Sequence, residues 1–363
     1  MSALNSVDTH CRLTRPGVAE NSPLQAWDAA DEYLIKTIRD INPASLCILN
    51  DGFGALACHL HNFAPLWVSD SACAHDALQL NLTQNNLPAL QHCNTSELPG
   101  AEFSCVIVKA RRGLTALRQD LQIAASLAGK QGQVFLAGMA KHIAPGTLEI
   151  LRELGELELY PTLKKARLYR LSNLHKNTPL KPEITPIRDT VFYGFAGVFA
   201  TNRIDEGTAL LLTHLPPIKA DARYADLCCG TGIIGLSLLQ KGATQVDFSD
   251  EYKPALNNTE YNLRQLQGAM QTNCFWQDGM QHAAPQSYDA IFCNPPFHEQ
   301  NVVTEHIALR LFVQARNSLK PGASLYVVCN RHLNYLPRLK QLFKSAHIIS
   351  QHPKFMVIKA DLA

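Results

Sequence analysis

The sequence predicts an α/β protein of two tandem Rossmann-like domains. Each would be a mostly parallel sheet with helices on both faces and an antiparallel strand pair at its C-terminal end. Three observations carry that reading. The chain is 363 residues long, more than one hydrophobic core usually organises, so two domains are expected. Short apolar runs alternate with longer segments of helical period, the pattern of strands joined by crossover helices. The plan of the second half also recurs in the first.

Composition sets the outer bounds. A hydrophobic content of 46% with only 20 Gly and 20 Pro excludes a disordered or collagen-like chain. No apolar run reaches the ~18 residues of a membrane span. The start MSALNSVDTHCRLTRPG lacks an apolar stretch after its basic residues and does not read as a signal peptide. The eleven cysteines are odd in number and form no C-x-x-C pair, and Cys47, Cys105, Cys293 and Cys329 lie inside apolar runs. They read as small buried hydrophobes in a reducing cytosol rather than as disulfides or a metal site. A cytoplasmic protein without a metal is expected.

In chain order, Ser45 to Leu60 (SLCILNDGFGALACHL) reads as a strand, a glycine turn and a helix. Trp67 to Asp70 follows as a second strand end, Phe103 to Lys109 as a buried strand, and Gly132 to Leu136 and Lys165 to Tyr169 as later strands. KNTPLKPEITPIRD, from Lys176 to Asp189, has three prolines in eight residues, Pro179, Pro182 and Pro186. Proline lacks an amide donor and pushes its predecessor to extended backbone, so this stretch predicts a linker. The expected boundaries are a first domain over 1–178, a linker over 179–190 and a second domain over 191–363. In the second domain, strands are expected at Tyr224–Cys228, Gln245–Ser249, Tyr288–Cys293 and Ser324–Cys329. Helices are expected after the glycines at 230–235, over Lys253–Gln267 and over Ile307–Leu319. His347–Ser350 and Phe355–Ala360 close the chain as an antiparallel pair. The halves align on Gly52-Phe-Gly54 with Gly230-Thr-Gly232, on Asp70 with Asp250, and on Phe103–Lys109 with Tyr288–Asn294. Chemistry separates them: Ile48 stands where the second copy has Asp226, and Lys109-Ala-Arg where it has Asn294-Pro-Pro.

Charge is nearly balanced, with 33 basic and 31 acidic residues, but it is unevenly spread. From Arg310 onward nine Lys or Arg face one acid, Asp361, and Arg331 and Lys354 lie in that run. Six basic residues and no acid lie between Lys164 and Lys181, among them Lys164, Lys165 and Arg167. Lys109, Arg111, Arg112 and Arg118 form a third cluster. Each alone reads as a solvated face; three in a near-neutral chain suggest patches for a polyanion.

Gly230-Thr-Gly232-Ile-Ile-Gly235, after a strand and opening a helix, matches G-x-G-x-x-G, and Asp250 follows 20 residues on. Glycines let a backbone approach a ligand closely, and a carboxylate there can accept from ribose hydroxyls. Asp226 argues against a pyrophosphate and for a ligand with a cationic amino group. Asn294-Pro295-Pro296-Phe297 leaves the strand YDAIFC directly. The structural alternative is a rigid strand exit with Asn as a turn residue. The chemical reading uses every position. The Asn side-chain carbonyl and the Pro295 backbone carbonyl can accept both protons of a planar exocyclic amine, turning its lone pair toward an electrophile. Phe297 offers a face for a planar base. Both loops fall at the carboxyl ends of parallel strands, where ligands bind in open sheets.

These motifs resemble the class I S-adenosylmethionine-dependent methyltransferases that modify exocyclic nitrogens. Gly197-Val-Phe-Ala-Thr-Asn-Arg-Ile-Asp-Glu-Gly207 narrows the resemblance to the paired ribosomal RNA guanine-N2 methyltransferases. Asn21-Ser-Pro-Leu-Gln-Ala-Trp, Ile48-Leu-Asn-Asp-Gly-Phe-Gly and Asn330-Arg-His-Leu-Asn-Tyr look like the large-subunit member of that pair. The resemblance implies methylation of a guanine 2-amino group in 23S rRNA, with S-adenosylmethionine as cofactor. It also implies a first domain that has lost activity and holds RNA. By position, Gly230 and Gly232 would line the cofactor, Asp250 take its ribose hydroxyls and Asp226 sit toward its methionine end. Asp278 would meet the adenine amine, and Phe199 and Asp205 would cover the site. Lys109, Arg111, Arg112, Lys164, Lys165, Arg167, Arg331 and Lys354 are the candidate RNA contacts. The duplication makes a second chain unnecessary, so a monomer is expected. One departure is Cys228, where the family commonly has glycine and where positive φ is harder to adopt.

Alternatives remain at this point. The same chemistry could act on a small-subunit rRNA guanine, on adenine N6 or on a protein glutamine. A nucleotide-dependent dehydrogenase is disfavoured by Asp226 and by the Asn294 loop. A non-catalytic RNA-binding or ribosome assembly factor fits the first copy but not the second.

Overall fold

The computed structural model describes residues 11–18, 24–175, 184–296 and 302–363, with side chains of the last segment described from 306. The chain divides into two compact units, Met1–Pro182 and Glu183–Ala363. Of the stretch expected as a linker, Ile184–Pro186 is a strand of the second unit, and Pro179 and Pro182 lie outside the described residues.

The first unit contains β1 (Leu46–Leu49), β2 (Leu66–Val68), β3 (His92–Cys93), β4 (Cys105–Lys109), β5 (Gln133–Met139), β6 (Glu156–Leu159) and β7 (Ala166–Ser172). They form one sheet in the order β3-β2-β1-β4-β5-β7-β6. Its helices are α1 (Ala29–Ile41), α2 (Ala55–His59), α3 (Ala72–Gln84), α4 (Leu114–Ala128) and α5 (Thr147–Leu154). Pairing is parallel from β3 to β5, and antiparallel at β5–β7 and β6–β7.

The second unit begins with a short antiparallel pair, β8 (Ile184–Pro186) and β9 (Tyr193–Phe195). Its main sheet holds β10 (Arg223–Leu227), β11 (Gln245–Asp250), β12 (Gln271–Trp276), β13 (Tyr288–Cys293), β14 (Leu319–Asn330), β15 (Ser345–Gln351) and β16 (Phe355–Asp361). The order β12-β11-β10-β13-β14-β16-β15 repeats the first sheet strand for strand. The helices are α6 (Glu206–Leu212), α7 (Ile233–Gln240), α8 (Lys253–Leu263), α9 (Val302–Ser318) and α10 (Tyr335–Leu342). The closing antiparallel pair expected from the sequence is β15 with β16.

Both faces of each sheet are covered, which is why the central strands are continuously apolar rather than alternating. Alternate residues still feed opposite cores. In β1, Leu46 and Ile48 join one cluster with Trp67 and Phe135, while Cys47 and Leu49 join another with Val106 and Leu136. In the second unit Tyr224 and Phe292 face one core, and Ala225, Leu227, Ile291 and Cys293 the other. A fully buried side chain such as Phe248 or Phe292 contributes about 1.5–3 kcal/mol relative to exposure. Cys47, Cys105, Cys293 and Cys329 are buried and free of disulfides, while Cys93 and Cys274, also in strands, are half-buried. This architecture brings the glycine turn after β10 and the Asn294 loop after β13 to adjacent positions, because β10 and β13 are parallel neighbours.

Candidate active site

The glycine loop is built backbone first. Cys228 has φ +61°, Gly230 +55° and Gly232 +81°, so the departure from glycine at 228 leaves a cysteine in left-handed backbone, at a cost of about 1–2 kcal/mol. The loop's glycines have different reasons. A Cβ on Gly235 would run into the Phe248 ring, whereas one on Gly230 would meet only Phe199 Cβ, at 4.0 Å. Gly235 therefore lets α7 close onto the sheet, and Gly230 keeps an open backbone face beneath Phe199. Phe199 is 44% exposed.

Two carboxylates hold this loop. Asp226 is fully buried; its Oδ2 accepts from Gly235 N at 2.8 Å, and its Oδ1 has no partner. Burial, with the nearby Asp250 adding to it against the Gly235 hydrogen bond, pushes its pKa up to about 8. Asp250 ends β11, and its Oδ2 accepts from Gly230 N and its Oδ1 from Tyr252 N, both at 2.9 Å. Burial raises its pKa as well. Asp278, two residues beyond β12, accepts from Arg310 Nη2 of α9 at 2.9 Å.

Asn294 leaves β13 with its amide fixed. Nδ2 donates to Thr208 Oγ1 at 2.9 Å and lies 3.5 Å from Asp205 Oδ2. Asn294 Oδ1 is buried and has no partner. Asp205 serves first as the N-cap of α6, accepting from Gly207 N and Thr208 N at 2.9 and 3.1 Å. Pro295 is buried and Pro296 exposed, while Phe297 lies outside the described residues. Thr208 and Arg310 carried no sequence signal; each is defined only by what it reaches.

The same corner of the first unit is chemically different. Lys109, the counterpart of Asn294, is 2.7 Å from Asp28 Oδ1 and 2.5 Å from Asp31 Oδ2. Those acids stand at the N-cap and third positions of α1, as Asp205 and Thr208 do in α6. Asp70, the counterpart of Asp250, accepts from Thr95 N and Oγ1, each at 2.8 Å. The helix-tying role of Asp226 is not lost with Ile48. It has moved to Asp51, whose Oδ2 accepts from Ala57 N at 2.9 Å.

Of the candidate RNA contacts, Lys109 and Arg111 are engaged by carboxylates of their own unit. The Lys109 side chain is 16% exposed and committed to two carboxylates, and Arg111 grips Asp120 through Nε and Nη2 at 2.8 and 2.6 Å. Arg112, Lys165, Arg167 and Arg331 are exposed. Lys164 and Lys354 are also exposed but pair with Glu32 at 2.8 Å and Glu206 at 3.3 Å.

Comparison with known proteins places this geometry. Residues 1–175 match the RLMG N-terminal domain and residues 189–359 the Methyltransferase small domain. Ribosomal RNA large subunit methyltransferase G of Aeromonas hydrophila subsp. hydrophila is 36% identical, over 97% of this chain and 97% of that protein. The chain belongs to the ribosomal RNA large subunit methyltransferase G family. Members from Pseudomonas fluorescens and Klebsiella pneumoniae are 35% and 34% identical, the first over 99% of this chain and 100% of its own, the second over 95% and 94%. Among solved structures, a T. thermophilus 16S rRNA N2 methyltransferase in complex with AdoMet and guanosine superposes with a TM-score of 0.75. It is 22% identical and covers 93% of this chain and 92% of its own. That likeness extends the class I methyltransferase fold over both units of this large-subunit family member. No helix among the described residues is long and apolar enough to cross a membrane.

Proposed function

We propose that this chain transfers a methyl group from S-adenosylmethionine to the exocyclic N2 of a guanine in 23S rRNA, giving N2-methylguanine. The observation that carries the reading is Asn294 Oδ1, a buried acceptor without a donor. Leaving such an atom unpaired costs about 1–3 kcal/mol, and Thr208 fixes the amide so that this oxygen stays available. The name of the relatives supports the large-subunit rRNA as substrate, and the N2 specificity named for the T. thermophilus enzyme supports guanine.

The residues present fit the cofactor. Asp226 Oδ1 is a second buried acceptor with no partner, suited to an ammonium, and Gly230 presents open backbone. Gly230 and Gly232 would line the cofactor, Asp250 would take its ribose hydroxyls and Asp278 its adenine amine, with Phe199 and Asp205 over the site. When bound, S-adenosylmethionine supplies a methyl group on a cationic sulfur. Asn294 Oδ1 and the Pro295 carbonyl accept the two N2 protons and direct the lone pair along the line of attack. The leaving group is a neutral thioether, so no metal is required, and the proton shed by N2 passes to solvent, because neither amide oxygen is basic enough to keep it.

The first domain (1–178), in this reading, is a degenerate copy that holds RNA. Arg112, Lys164, Lys165 and Arg167 serve it there, and Arg331 and Lys354 beside the catalytic corner. The catalytic domain is 191–363. The protein works as a cytoplasmic monomer on a loop or flipped guanine, because N2 is engaged in a base pair within a helix.

The test is incubation of the full chain with labelled S-adenosylmethionine and, in separate reactions, protein-free 23S rRNA, protein-free 16S rRNA and ribosomal protein, followed by nucleoside and amino-acid analysis. Label is expected in N2-methylguanine. Label confined to N6-methyladenine, to 16S rRNA or to protein would sink the reading. Asn294→Ala is expected to hold cofactor affinity within about twofold and to lower turnover at least about a hundredfold; full activity in that variant would remove Asn294 from its role.

A further inference from the structure

The carboxylate assigned to the adenine is not free-standing. Asp278 is held from α9 by Arg310, with Nη2 2.9 Å from Oδ1, and the two side chains are 16% and 33% exposed. One helical turn further along α9, Gln314 Oε1 accepts from Met280 N at 2.9 Å. The backbone between them is equally constrained. Gly279 has φ +58°, and a Cβ there would strike Gln314 Oε1 and the Leu311 side chain. Ser249 Oγ of β11 donates to the Gly279 carbonyl from the other side. Residues 278–280 are thus clamped between β11 and one face of α9. Arg310 Nε is buried with no partner, so this guanidinium is held at the loop although it forgoes one hydrogen bond.

The position of Asp278 relative to Asp250 gives the clamp a chemical purpose. Asp250 and Trp276 are register partners at the ends of β11 and β12, and Asp278 lies two residues beyond. A nucleoside whose ribose is held at Asp250 would present its base toward the loop after β12. Resting on the cofactor assignment above, we propose that Arg310 is a positioning residue that makes Asp278 a reader of the cofactor's 6-amino group. With Oδ1 engaged by Arg310, Oδ2 is left as an acceptor-only group. It accepts from a 6-amino substituent and repels a 6-oxo oxygen. Arg310 therefore sets the preference for adenine over hypoxanthine without touching the reacting methyl group.

The experiment measures binding of S-adenosylhomocysteine and of its 6-oxo counterpart, S-inosylhomocysteine, to the full chain, together with kcat and KM for S-adenosylmethionine. The wild type is expected to prefer the amino compound by at least about tenfold. Arg310→Gln keeps a long polar stem without the charge. It is expected to reduce that preference to about twofold and to raise KM about tenfold with kcat nearly unchanged, while Arg310→Lys restores most of the preference. Asp278→Asn separates the two layers, because its amide can donate to a 6-oxo group. If Asp278→Asn leaves the preference intact, the adenine assignment of Asp278 fails. If Asp278→Asn removes the preference and Arg310→Gln keeps it, the role of Arg310 alone is overturned.

Discussion

A buried carboxyl with one oxygen tied to Gly235 and the other bare is an unusual thing for a core to tolerate, and Asp226 has this environment. Its folded pKa of about 8 lies above its ordinary value of 3.8. The sign follows from linkage. This carboxyl favours the folded state fully below pH 4, and that contribution is lost as pH rises through 8. A cation bound beside Oδ1 reverses the preference, because it selects the ionised form. Affinity for S-adenosylhomocysteine, measured by titration calorimetry, should therefore rise about tenfold per pH unit between pH 6 and 8 and then level off. Asp226→Asn should flatten the profile, and a flat profile in the wild type would exclude the ammonium from this site. Asp226, Asp250 and Asn294 were legible in the sequence because their residue types stand directly at strand ends, where an α/β sheet places its chemistry. Thr208 and Arg310 were not. They reach the site from 86 and 32 residues away from their partners, and a hydroxyl or guanidinium on a helix has no local pattern that announces a distant contact.

Among elements, the repeated strand order was readable from matching apolar runs, yet the deepest correspondence was not. Asn81 of α3 donates to Phe53 O and Thr14 O and accepts from Thr14 N. Asn262 of α8 makes the same three bonds, to Thr231 O, Tyr193 O and Tyr193 N. Two interior asparagines tie the segment before each sheet to its glycine turn. A sequence reading overlooks them because mid-helix Asn normally signals exposure. The glycine turn divides its own duties, and substitution should expose the division. Gly235→Ala forces α7 away from Phe248 and should cost about 1–3 kcal/mol of stability, lowering Tm by several degrees in calorimetry. Its S-adenosylhomocysteine affinity, measured on folded protein, should stay near wild type. Gly230→Ala has room, since its Cβ meets only Phe199 Cβ at 4.0 Å, but it places an L side chain at φ +55° and so also costs about 1–2 kcal/mol. What sets it apart is that it should weaken that affinity, which Gly235→Ala leaves intact. Equal effects on both readouts from the two variants would refute the assignment of one glycine to packing and the other to the ligand.

At the scale of the whole molecule, duplication explains how one fold came to carry two kinds of surface. The first unit keeps the sheet and its Asp51 tie but fills the corner opposite its fourth strand with Lys109, Asp28 and Asp31. The Lys109–Asp31 pair is largely buried, with side chains 16% and 7% exposed; such a pair contributes little net stability, though breaking it from one side costs up to about 3–5 kcal/mol. Lys109 is therefore expected to serve folding, and the exposed cations Lys165 and Arg167 are the ones proposed to meet phosphates. The two roles separate in salt. The double variant Lys165→Ala with Arg167→Ala should weaken binding to 23S rRNA. It should also make the slope of log affinity against log salt shallower by about 1.4–1.8, since each lost phosphate contact removes roughly 0.7–0.9 from it. KM for S-adenosylmethionine should not move. Lys109→Met should lower Tm without changing the salt slope of the folded protein. A double variant with the wild-type slope would mean that the RNA lies elsewhere, whereas a shallower slope in Lys109→Met would return the buried lysine to the RNA surface from which its two carboxylates remove it.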